Sequence, residues 1–411
     1  MNLIKEIVQW HKELISWRRD IHAHPELAFA EVRTANFIAA KLNSFGLEVT
    51  SGIGGTGVVG TLRAGSSNRS IGLRADMDAL PMEELNTFGY QSKFPGRMHG
   101  CGHDGHTVML LGAALYLANK KDFNGTVQFI FQPAEEANSI GSGAKAMIDD
   151  GLFQKFPVDN IFALHNGPGL RAGAIATRPG AIMGSMDLFE VSITGRGTHG
   201  AVPHSGVDPI VIMATLISAW QTIVSRNIDP TESAVLSVAS LNAGNSWNVI
   251  PQQAVARGSI RSLSNRVQKQ IKSKFYAITE SIANGLGASV EITYDQSSPV
   301  TFNDENATAV ACDVAASIVG EDQVIRCAPA VLGSDDFSHM LEHVSGCYLW
   351  IGNSDPCSDD EESNLKTTNS GLGLLGVQDA CMVHEPHYDF NDKIIPTGAT
   401  FLARLAESHL M

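Results

Sequence analysis

The feature that most restricts the fold is an alternation of short apolar strands with helices along the first 165 residues. The patterns predict helices up to about residue 20 and at 31–42, 107–118 and 142–150, and strands at 48–51, 58–63, 70–74, 126–131 and 160–164. Such alternation is typical of a mostly parallel sheet covered by helices. Ligands of these sheets bind beyond the carboxyl ends of the strands. We therefore expect functional side chains directly after the predicted strands.

Three of the predicted strands end in residues that could carry chemistry. Asp76 and Asp78 follow the first, Glu135 and Glu136 follow the second, and His165 follows the third. The aspartates could be metal ligands, residues that orient ligands, or turn formers. An exposed acidic loop is the alternative interpretation of the glutamate pair. The coincidence of position and chemistry at three strand ends favours a functional site.

The segment 98–106 has the sequence Met-His-Gly-Cys-Gly-His-Asp-Gly-His and concentrates possible metal ligands in nine residues. Cys101 and His103 are two positions apart, which does not put both on one helix face but allows a loop to direct both at one ion. A thiolate with an imidazole suits zinc or another borderline divalent metal. The alternative is a histidine-rich turn with a buried thiol. We favour a metal site that takes its other ligands from elsewhere in the chain.

A second pattern, with the order β-α-β-β-α-β, begins near residue 182. Its strands are predicted at 186–194, 234–241, 253–262 and 288–294, and its helices at 208–226 and 265–284. This order is the split βαβ unit of ferredoxin-like folds, which leaves an edge strand able to pair with a second subunit. The chain returns to α/β character from residue 299. A chain of 411 residues exceeds one ordinary core. We therefore predict an α/β catalytic metal-binding domain, 1–181 and 298–411, with an inserted domain, 182–297.

Composition excludes several classes of function. The net charge is −14 and no run of lysine or arginine stands out, which argues against nucleic acid or an anionic membrane as the main partner. Six scattered cysteines show no C-x-x-C spacing, so we expect reduced thiols and a cytoplasmic location. No uncharged apolar run is expected to reach the roughly 18 residues of a membrane helix. The G-x-G-x-x-G match at 52–57 precedes a strand instead of a helix, which predicts a hairpin turn and not a nucleotide site.

Five possible ligands stand out along the chain: Cys101, His103, Glu136, His165 and His384. Five exceed the four ligands of a structural zinc and suit two divalent ions about 3.5–4 Å apart, as in two-metal hydrolases. Such a site needs a further carboxylate that moves protons without binding metal. Glu135 as base and Glu136 as ligand would fill both roles, although spacing alone leaves open which glutamate does which. No serine lies in a G-x-S-x-G setting, so metal-dependent hydrolysis of an amide or ester is favoured over a serine hydrolase mechanism.

The chain resembles the amidohydrolase branch of the aminoacylase/carboxypeptidase metallopeptidase superfamily, which includes hippurate hydrolases, N-acyl-L-amino acid amidohydrolases and auxin-conjugate hydrolases. The motifs that carry the resemblance span nearly the whole chain: WRRDIHAHPE (17–26), RADMDALP (74–81), MHGCGHDGH (98–106), FQPAEE (131–136), GRGTH (195–199), NVIP (248–251), GSDDF (333–337) and DFND (389–392). The resemblance implies a dimetal catalytic domain with an inserted lid and dimerisation domain, and hence a homodimer. It also implies a small-molecule N-acyl amino acid as substrate.

The resemblance further implies roles for individual residues. Cys101 is expected to bridge two metal ions, with His103, Glu136, His165 and His384 completing the two sites and Glu135 acting as base. His199 corresponds to a histidine that stabilises an oxyanion, and Asn248 and Arg261 to substrate-binding positions, where an arginine could hold a carboxylate bidentately. The alternatives are a surface loop histidine for His199 and a solvated strand-end charge for Arg261.

One departure from the relatives affects His384. Residues 354–383 form a long acidic, glycine-rich stretch where relatives have a short connection. We expect residues 354–368 to form a mobile loop, and the stretch could also form a flap over the site. The ligand role of His384 therefore depends on its surrounding motif, with His387 as the alternative.

The expected function is hydrolysis of the amide bond of N-acyl amino acids, such as N-benzoyl or N-acetyl derivatives. A dipeptidase or aminopeptidase of the same superfamily is the first alternative, and a metal-binding protein without catalysis is the second. Glu135 argues against the second because a storage site needs ligands but no base. Zinc or manganese is the expected metal, and nickel or cobalt would also suit these nitrogen, oxygen and sulfur ligands.

Overall fold

The computed structural model describes residues 1–355 and 381–411. Most of the acidic, glycine-rich stretch 354–383, including residues 356–368 of the loop expected at 354–368, lies outside these residues. The helices are α1 (Lys5–Gln9), α2 (His11–His22), α3 (Val32–Ser44), α4 (His103–Lys120), α5 (Gly143–Asp149), α6 (Leu152–Lys155), α7 (Pro209–Thr222), α8 (Asn265–Gly285), α9 (Glu305–Val319), α10 (Phe337–Leu341) and α11 (Ile395–Leu410).

The strands alternate with these helices. They are β1 (Glu48–Ile53), β2 (Gly57–Ala64), β3 (Ser70–Asp76), β4 (Gly125–Gln132), β5 (Asn160–Arg171), β6 (Ile175–Ala176), β7 (Gly180–Met183), β8 (Ser185–Thr194), β9 (Thr198–His199), β10 (Ala234–Ala243), β11 (Val249–Ile250), β12 (Gln253–Ser262), β13 (Ser289–Ser298), β14 (Thr301–Asn303), β15 (Val324–Ile325) and β16 (Gly346–Ser354).

The chain divides into two compact units, one of which interrupts the other in sequence. The first contains Met1–Ile182, Thr301–Pro329 and Asp336–Met411, and the second contains Met183–Val300 and Ala330–Asp335. The short segment Ala330–Asp335 therefore belongs to the second unit, although it is distant from the rest of that unit in sequence. One of its carbonyls, that of Val331, accepts the backbone N–H of Gly184.

The first unit is built on an eight-stranded sheet with the order β1-β2-β4-β3-β5-β16-β6-β15. Its centre is parallel, because β3 pairs in parallel with β4 and β5, and β5 with β16. Strands β1 and β2 add an antiparallel hairpin at one edge, as predicted for the glycine-rich turn. The mostly parallel sheet predicted for this domain is confirmed, and the carboxyl ends of β3, β4 and β5 lie side by side.

Helix α4 forms the centre of the core of the first unit. Nearly all of its residues from His103 to Leu117 are buried, and α2 and α11 pack against it. A helix enclosed in this way carries apolar side chains around its whole circumference, as α4 does after its first turn. The polar first turn of α4 is therefore held rigidly by the core behind it.

Three boundaries differ from the predictions. Helix α4 begins at His103 instead of residue 107, because Gly102 adopts a left-handed conformation (φ 91°) and the chain enters the helix directly. Strand β5 continues to Arg171, so His165 lies within it and not after it. The single helix expected up to about residue 20 is divided at Trp10 into α1 and α2.

The second unit contains a four-stranded antiparallel sheet with the order β10-β12-β8-β13. Helices α7 and α8 pack on this sheet, and the strand order with two crossing helices confirms the ferredoxin-like prediction. An aromatic cluster fills the core between them. The ring centroid of Phe275 lies 4.8 Å from that of Phe189 and 4.9 Å from that of Trp220.

One helix of the second unit corrects an expectation. Pro209–Asn227, which is α7 with a following π-helical turn, is long and apolar enough to cross a membrane by length and composition, although no such run was expected. Asp208 caps its start by accepting the N–H of Ile210, and Pro209 occupies the first helical position. Its residues Leu216 and Trp220 are fully buried in the core of this unit. These side chains pack against the sheet, whereas Ile210 and Val211 of the same helix are exposed.

Candidate metal centre

The carboxyl end of β3 orients a histidine of the 98–106 segment. Asp78 accepts the Nδ1–H of His103 both at its backbone carbonyl (2.9 Å) and at its Oδ1 (3.2 Å). The Nδ1 atom of His103 therefore carries the proton, and its Nε2 lone pair is directed elsewhere. That Nε2 is buried and has no hydrogen-bond partner among the described residues. A buried imidazole nitrogen without a hydrogen-bond partner is able to bind a metal ion.

Strand β5 presents a second histidine in the same state. The Nδ1–H of His165 donates to the carbonyl of Asn166 over 2.7 Å, which leaves Nε2 unprotonated. That Nε2 lies 3.5 Å from the Sγ of Cys101. An imidazole lone pair and a thiol, both buried at this distance, can share one cation.

A cluster of possible metal ligands connects the segment after β4 with the C-terminal part of the chain. Ligand atoms of Cys101, Glu136 and His384 all lie within 4.8 Å of one another, and His384 Nε2 is 2.9 Å from Glu136 Oε1. His384 adopts a left-handed conformation (φ 67°), and its N–H donates to the carbonyl of Gly100. Its side chain is half exposed, in contrast to the buried Cys101 and Glu136. His387 is exposed and belongs to no such cluster among the described residues.

The clusters overlap and so bring the five expected ligands into one place. His103 forms another cluster with Glu135 and Glu136, again with all ligand atoms within 4.8 Å of one another. Cys101 links His165 to Glu136 and His384, as described above. The donor set is the unpartnered Nε2 of His103, the Nε2 of His165 beside the Cys101 thiol, the carboxylate of Glu136 and the half-exposed imidazole of His384. This set fits one or two borderline divalent cations.

The carboxylates of the site shift the pKa values of two proposed ligands. Burial would lower the pKa of His103, but the carboxylates of Asp76, Asp78 and Glu136 raise it to about 10. Burial and then the carboxylates of Glu136 and Glu135 hold the pKa of the Cys101 thiol well above its usual value. A bound cation would offset both effects by favouring the thiolate and the neutral imidazole.

His165 differs from His103 because burial dominates. Burial and then the neighbouring His106 hold its pKa well below the ordinary value. A neutral imidazole is the form that binds metal. Burial therefore favours the form of His165 that can bind metal.

His106 belongs to the cluster of Asp76, His103 and His165 but is not available as a ligand. Its Nδ1–H donates to Asp76 Oδ1 over 2.6 Å, and its Nε2 accepts the backbone N–H of Asn166 over 2.8 Å. Both ring nitrogens are thus used within the protein. Asp76 is in turn paired with Arg74 over 2.6 Å. In the structure Asp78 orients His103 and Asp76 orients His106.

A hydrogen-bond network joins the three segments that carry the ligands, and sequence reasoning did not identify it. Asn166 on β5 donates from Nδ2 to the carbonyl of Cys101 over 2.5 Å, and Tyr388 donates its hydroxyl to Asn166 Oδ1 over 2.7 Å. A Cβ at Gly102 would lie 2.4 Å from Asn166 Nδ2, so only glycine fits there. Asn166 follows His165 directly in the sequence, and Tyr388 is four residues after His384. These positions were the only signal of the network, because the sequence does not show which of these side chains are hydrogen-bonded.

The three remaining expected site residues lie in the second unit. His199 is in β9, which pairs with β11, and the carbonyl of Asn248 accepts the N–H of Gly200 over 2.7 Å. His199 and Asn248 are therefore neighbours on one exposed two-stranded ladder. Arg261 is in β12, where its Nη1 donates to the carbonyl of Leu332 over 2.9 Å, and burial lowers its pKa. It is a half-buried, bonded side chain and not a solvated strand-end charge.

Known proteins resemble this chain in both sequence and structure. The profile of the peptidase family M20/M25/M40 matches residues 72–374. Hippurate hydrolase of Campylobacter jejuni is 41% identical over 410 residues, covering 100% of both chains. N-acetyl-L-cysteine deacetylase of Bacillus subtilis is 41% identical over 342 residues, covering 83% of this chain and 80% of its own. The crystal structure of a dinuclear metal binding peptidase of the M20 family, the Bacillus subtilis YxeP protein, superposes with a TM-score of 0.79 at 31% identity, covering 98% of this chain and 99% of the other.

Proposed function

Since the chain belongs to the peptidase family M20/M25/M40 and is an amidohydrolase of that family, we propose that it hydrolyses the amide bond of N-acyl amino acids. The observation that carries the proposal is the overlap of the ligand clusters: Cys101, His103, Glu136, His165 and His384 meet, with the Glu135 carboxylate beside them. The activities named for the two curated relatives, hippurate hydrolysis and N-acetyl-L-cysteine deacetylation, both release an acyl group from an amino acid. Those names support this substrate class.

Two divalent cations would be held by the five ligands, with zinc or manganese as the proposed metals. When bound, such ions polarise a carbonyl and lower the pKa of water from 15.7 towards about 7. The orientation is supplied by the protein, because Asp78 and the carbonyl of Asn166 fix the tautomers of His103 and His165. A ligand set oriented in this way loses little freedom when the ions bind.

Glu135 is the proposed general base. Its carboxylate lies in one cluster with a ring nitrogen of His103 and the carboxylate of Glu136, yet Glu136 is the residue that also groups with Cys101 and His384. This favours Glu136 as ligand and leaves Glu135 to take a proton from the attacking water and to return it to the leaving amide nitrogen. A carboxylate in this role contributes about 10²–10⁴-fold to the rate.

The second unit supplies the proposed groups for the substrate. The backbone N–H of Ala201 donates to His199 Nδ1 over 3.0 Å, so the ring carries its proton on Nε2 and can donate to a developing oxyanion. Arg261 is the proposed partner of the amino-acid carboxylate, because its guanidinium is half-buried and an arginine can bind a carboxylate with two bonds. Asn248 is the proposed additional substrate contact beside His199.

A homodimer formed through the second unit is proposed as well. Strand β10 is an edge of the four-stranded sheet and exposes Val235 and Leu241. An uncovered edge strand with apolar side chains is suited to pairing with a second copy. A cytoplasmic location is proposed because Cys101 must remain a reduced thiol in order to bind metal.

The test combines metal analysis with a substrate panel. Purified protein is expected to contain two equivalents of a divalent metal and to hydrolyse N-benzoyl-glycine or N-acetyl amino acids, and chelation followed by metal addition should remove and restore activity. Faster hydrolysis of unblocked dipeptides than of acylated amino acids would replace the proposal by a dipeptidase. Full activity after complete removal of metal would overturn the two-metal mechanism.

A further inference from the structure

Two non-glycine residues of the first unit with left-handed backbones share one hydrogen-bond acceptor. Phe29 has φ 61° and Ala134 has φ 51°. The backbone N–H groups of both donate to Oε1 of Glu31, over 3.0 Å and 2.8 Å. A left-handed backbone is unfavourable for a residue with a Cβ and persists only where the surroundings hold it. Glu31 therefore holds two such residues at once.

The carboxylate of Glu31 is itself fixed in place. Its residue is fully buried, and its second oxygen, Oε2, accepts the hydroxyl of Thr56 over 2.6 Å. Burial raises its pKa to about 7, with the charge of Asp78 adding to the effect. A buried carboxylate with three donors aimed at it has a specific task in the fold, because burying it without them would be costly.

Ala134 stands directly before the proposed base. Its carbonyl accepts the N–H of Gly143 over 3.0 Å, so both of its backbone groups are bonded. On the other side of Glu135, the N–H of Glu136 donates to Asp78 Oδ2 over 2.9 Å. The backbone of Glu135 thus lies between two points, each held by a buried carboxylate. These two points restrict the path of the backbone at Glu135 and thereby where its side chain begins.

We propose that Glu31 is a positioning residue for Glu135: it holds Ala134 in the left-handed conformation and thereby aims the Glu135 carboxylate at the reacting water. This inference rests on the proposed function, in which Glu135 moves protons. Without the Glu31 acceptor, Ala134 relaxes towards a right-handed or extended backbone, which turns the following residue away. Glu31 contacts none of the proposed metal ligands in the described hydrogen bonds, so metal binding is retained.

The first test is Glu31→Ala in the metal-loaded, full-length protein. We expect kcat to fall about 10–100-fold, the size of effect produced by misplacing a catalytic group by about 1 Å. KM should change less than about twofold and the metal content should not change. Glu31→Gln keeps a carbonyl oxygen for the two N–H groups and should retain most of the activity.

Glu26→Ala is the matched control. Glu26 is a half-buried glutamate five residues earlier, and its carboxylate also accepts two backbone N–H groups, those of Arg33 and Thr34 at the start of α3. Among the described residues, no hydrogen bond joins the Glu26 carboxylate to Ala134. We expect Glu26→Ala to lower the melting temperature as Glu31→Ala does but to leave kcat within about twofold of the parent.

The double variant Glu31→Ala/Ala134→Gly tests the backbone explanation directly. Glycine adopts a left-handed conformation without the penalty that alanine has. We expect the kcat of the double variant to be at least about threefold higher than that of Glu31→Ala, although glycine adds no new contact. A purely structural role of Glu31 predicts instead that the second substitution lowers stability and activity further.

The outcomes separate this inference from the proposed function when Glu135→Gln is measured in parallel. If Glu135→Gln is inactive but Glu31→Ala behaves like Glu26→Ala, the inference is overturned and the proposed function stands. Full activity of Glu135→Gln overturns the proposed function itself. If Glu31→Ala does not fold, Thr56→Val serves instead, and a kcat equal to that of Glu26→Ala would overturn the inference.

Discussion

The two compact units differ in what they bury. The first encloses many ionisable side chains: Arg18, His22, Glu31, Arg74, Asp76, Asp78, His99, His103, Asp104, His106, Asp336 and Glu407. Among residues 183–300 of the second unit, all of which the structure describes, Asp187 is the one buried ionisable side chain. The core of the second unit is instead an aromatic and aliphatic cluster around Trp220 and Phe275.

This difference indicates that the buried side chains of the first unit are costly for stability and serve the proposed reaction. Buried charges require partners, and removing a partner leaves an uncompensated charge that costs more than a lost apolar contact of similar size. In the first unit, buried Asp78 and Asp76 fix the orientation of His103 and His106. The second unit has an ordinary core and presents its proposed substrate residues His199 and Asn248 on an exposed ladder. Substitutions that affect each unit by a different mechanism can test this contrast.

The largest effect is expected at the proposed base of the first unit. Glu135→Gln should lower kcat about 10²–10⁴-fold, because glutamine has nearly the same shape but cannot take a proton. The melting temperature and the metal content should stay close to those of the parent, as measured by thermal unfolding and elemental analysis. Loss of metal together with activity would show that Glu135 is a ligand and would exchange its role with that of Glu136.

The next effect is expected in the aromatic core of the second unit. Phe275→Ala should lower the free energy of unfolding by about 3–5 kcal/mol, because Phe275 is fully buried against Phe189 and Trp220. Denaturant unfolding measures this loss. Metal content should be unchanged, since all five proposed ligands are in the first unit. A loss of bound metal in this variant would break the contrast between the two units.

Two buried carboxylates allow a matched comparison between the units, and the first is Asp76. Asp76→Asn removes the charge that pairs with buried Arg74 and His106. We expect a loss of about 3 kcal/mol in the free energy of unfolding, at the lower end for a broken buried pair because asparagine still accepts a hydrogen bond. Urea unfolding at pH 7 measures it. A cost below that of a typical surface substitution would mean that the pairing contributes nothing.

The second carboxylate, Asp187, has neutral donors, Tyr294 and Gln268, and burial raises its pKa above the ordinary 3.8. The folded state therefore keeps the Asp187 proton to higher pH than the unfolded state does, so the contribution of this group to stability decreases as pH rises from about 3.8 through its raised pKa. Asp187→Asn removes this dependence. Relative to the parent, the variant should gain stability between pH 4 and pH 7, by no more than about 1 kcal/mol.

Unfolding of the parent and of Asp187→Asn at several pH values checks this smallest effect. A difference in unfolding free energy that is constant with pH, or that changes in the opposite direction, would contradict the assignment. The same comparison with Asp76→Asn would then show whether the two units treat a buried carboxylate differently.

Much of the fold was readable from local patterns because each pattern depends on neighbouring residues. The Asp208-Pro209 start of α7, the hairpin at 52–57 and the β-α-β-β-α-β order are of this kind, and the structure confirms them. The start of α4 at His103 was missed because a left-handed Gly102 lets the helix begin inside a glycine-rich segment that looks like a loop. The extension of β5 through Asn166-Gly-Pro-Gly was missed because pairing with β16 overrides the weak strand propensity of those residues.

The sequence by itself determined which side chains are available for metal chemistry, since residue type and position after a strand are local properties. Only the tertiary structure decided what each one does. His103 and His106 are three positions apart in one motif, yet Asp78 leaves the Nε2 of the first free, whereas Asn166 occupies the Nε2 of the second. The same holds for Glu31, whose carboxylate reaches Ala134 across 103 positions of the chain. Hydrogen bonds between segments that are far apart in the sequence set the tautomers of the histidines and the backbone conformation of Ala134. The sequence does not show which of these segments lie within hydrogen-bond distance of one another.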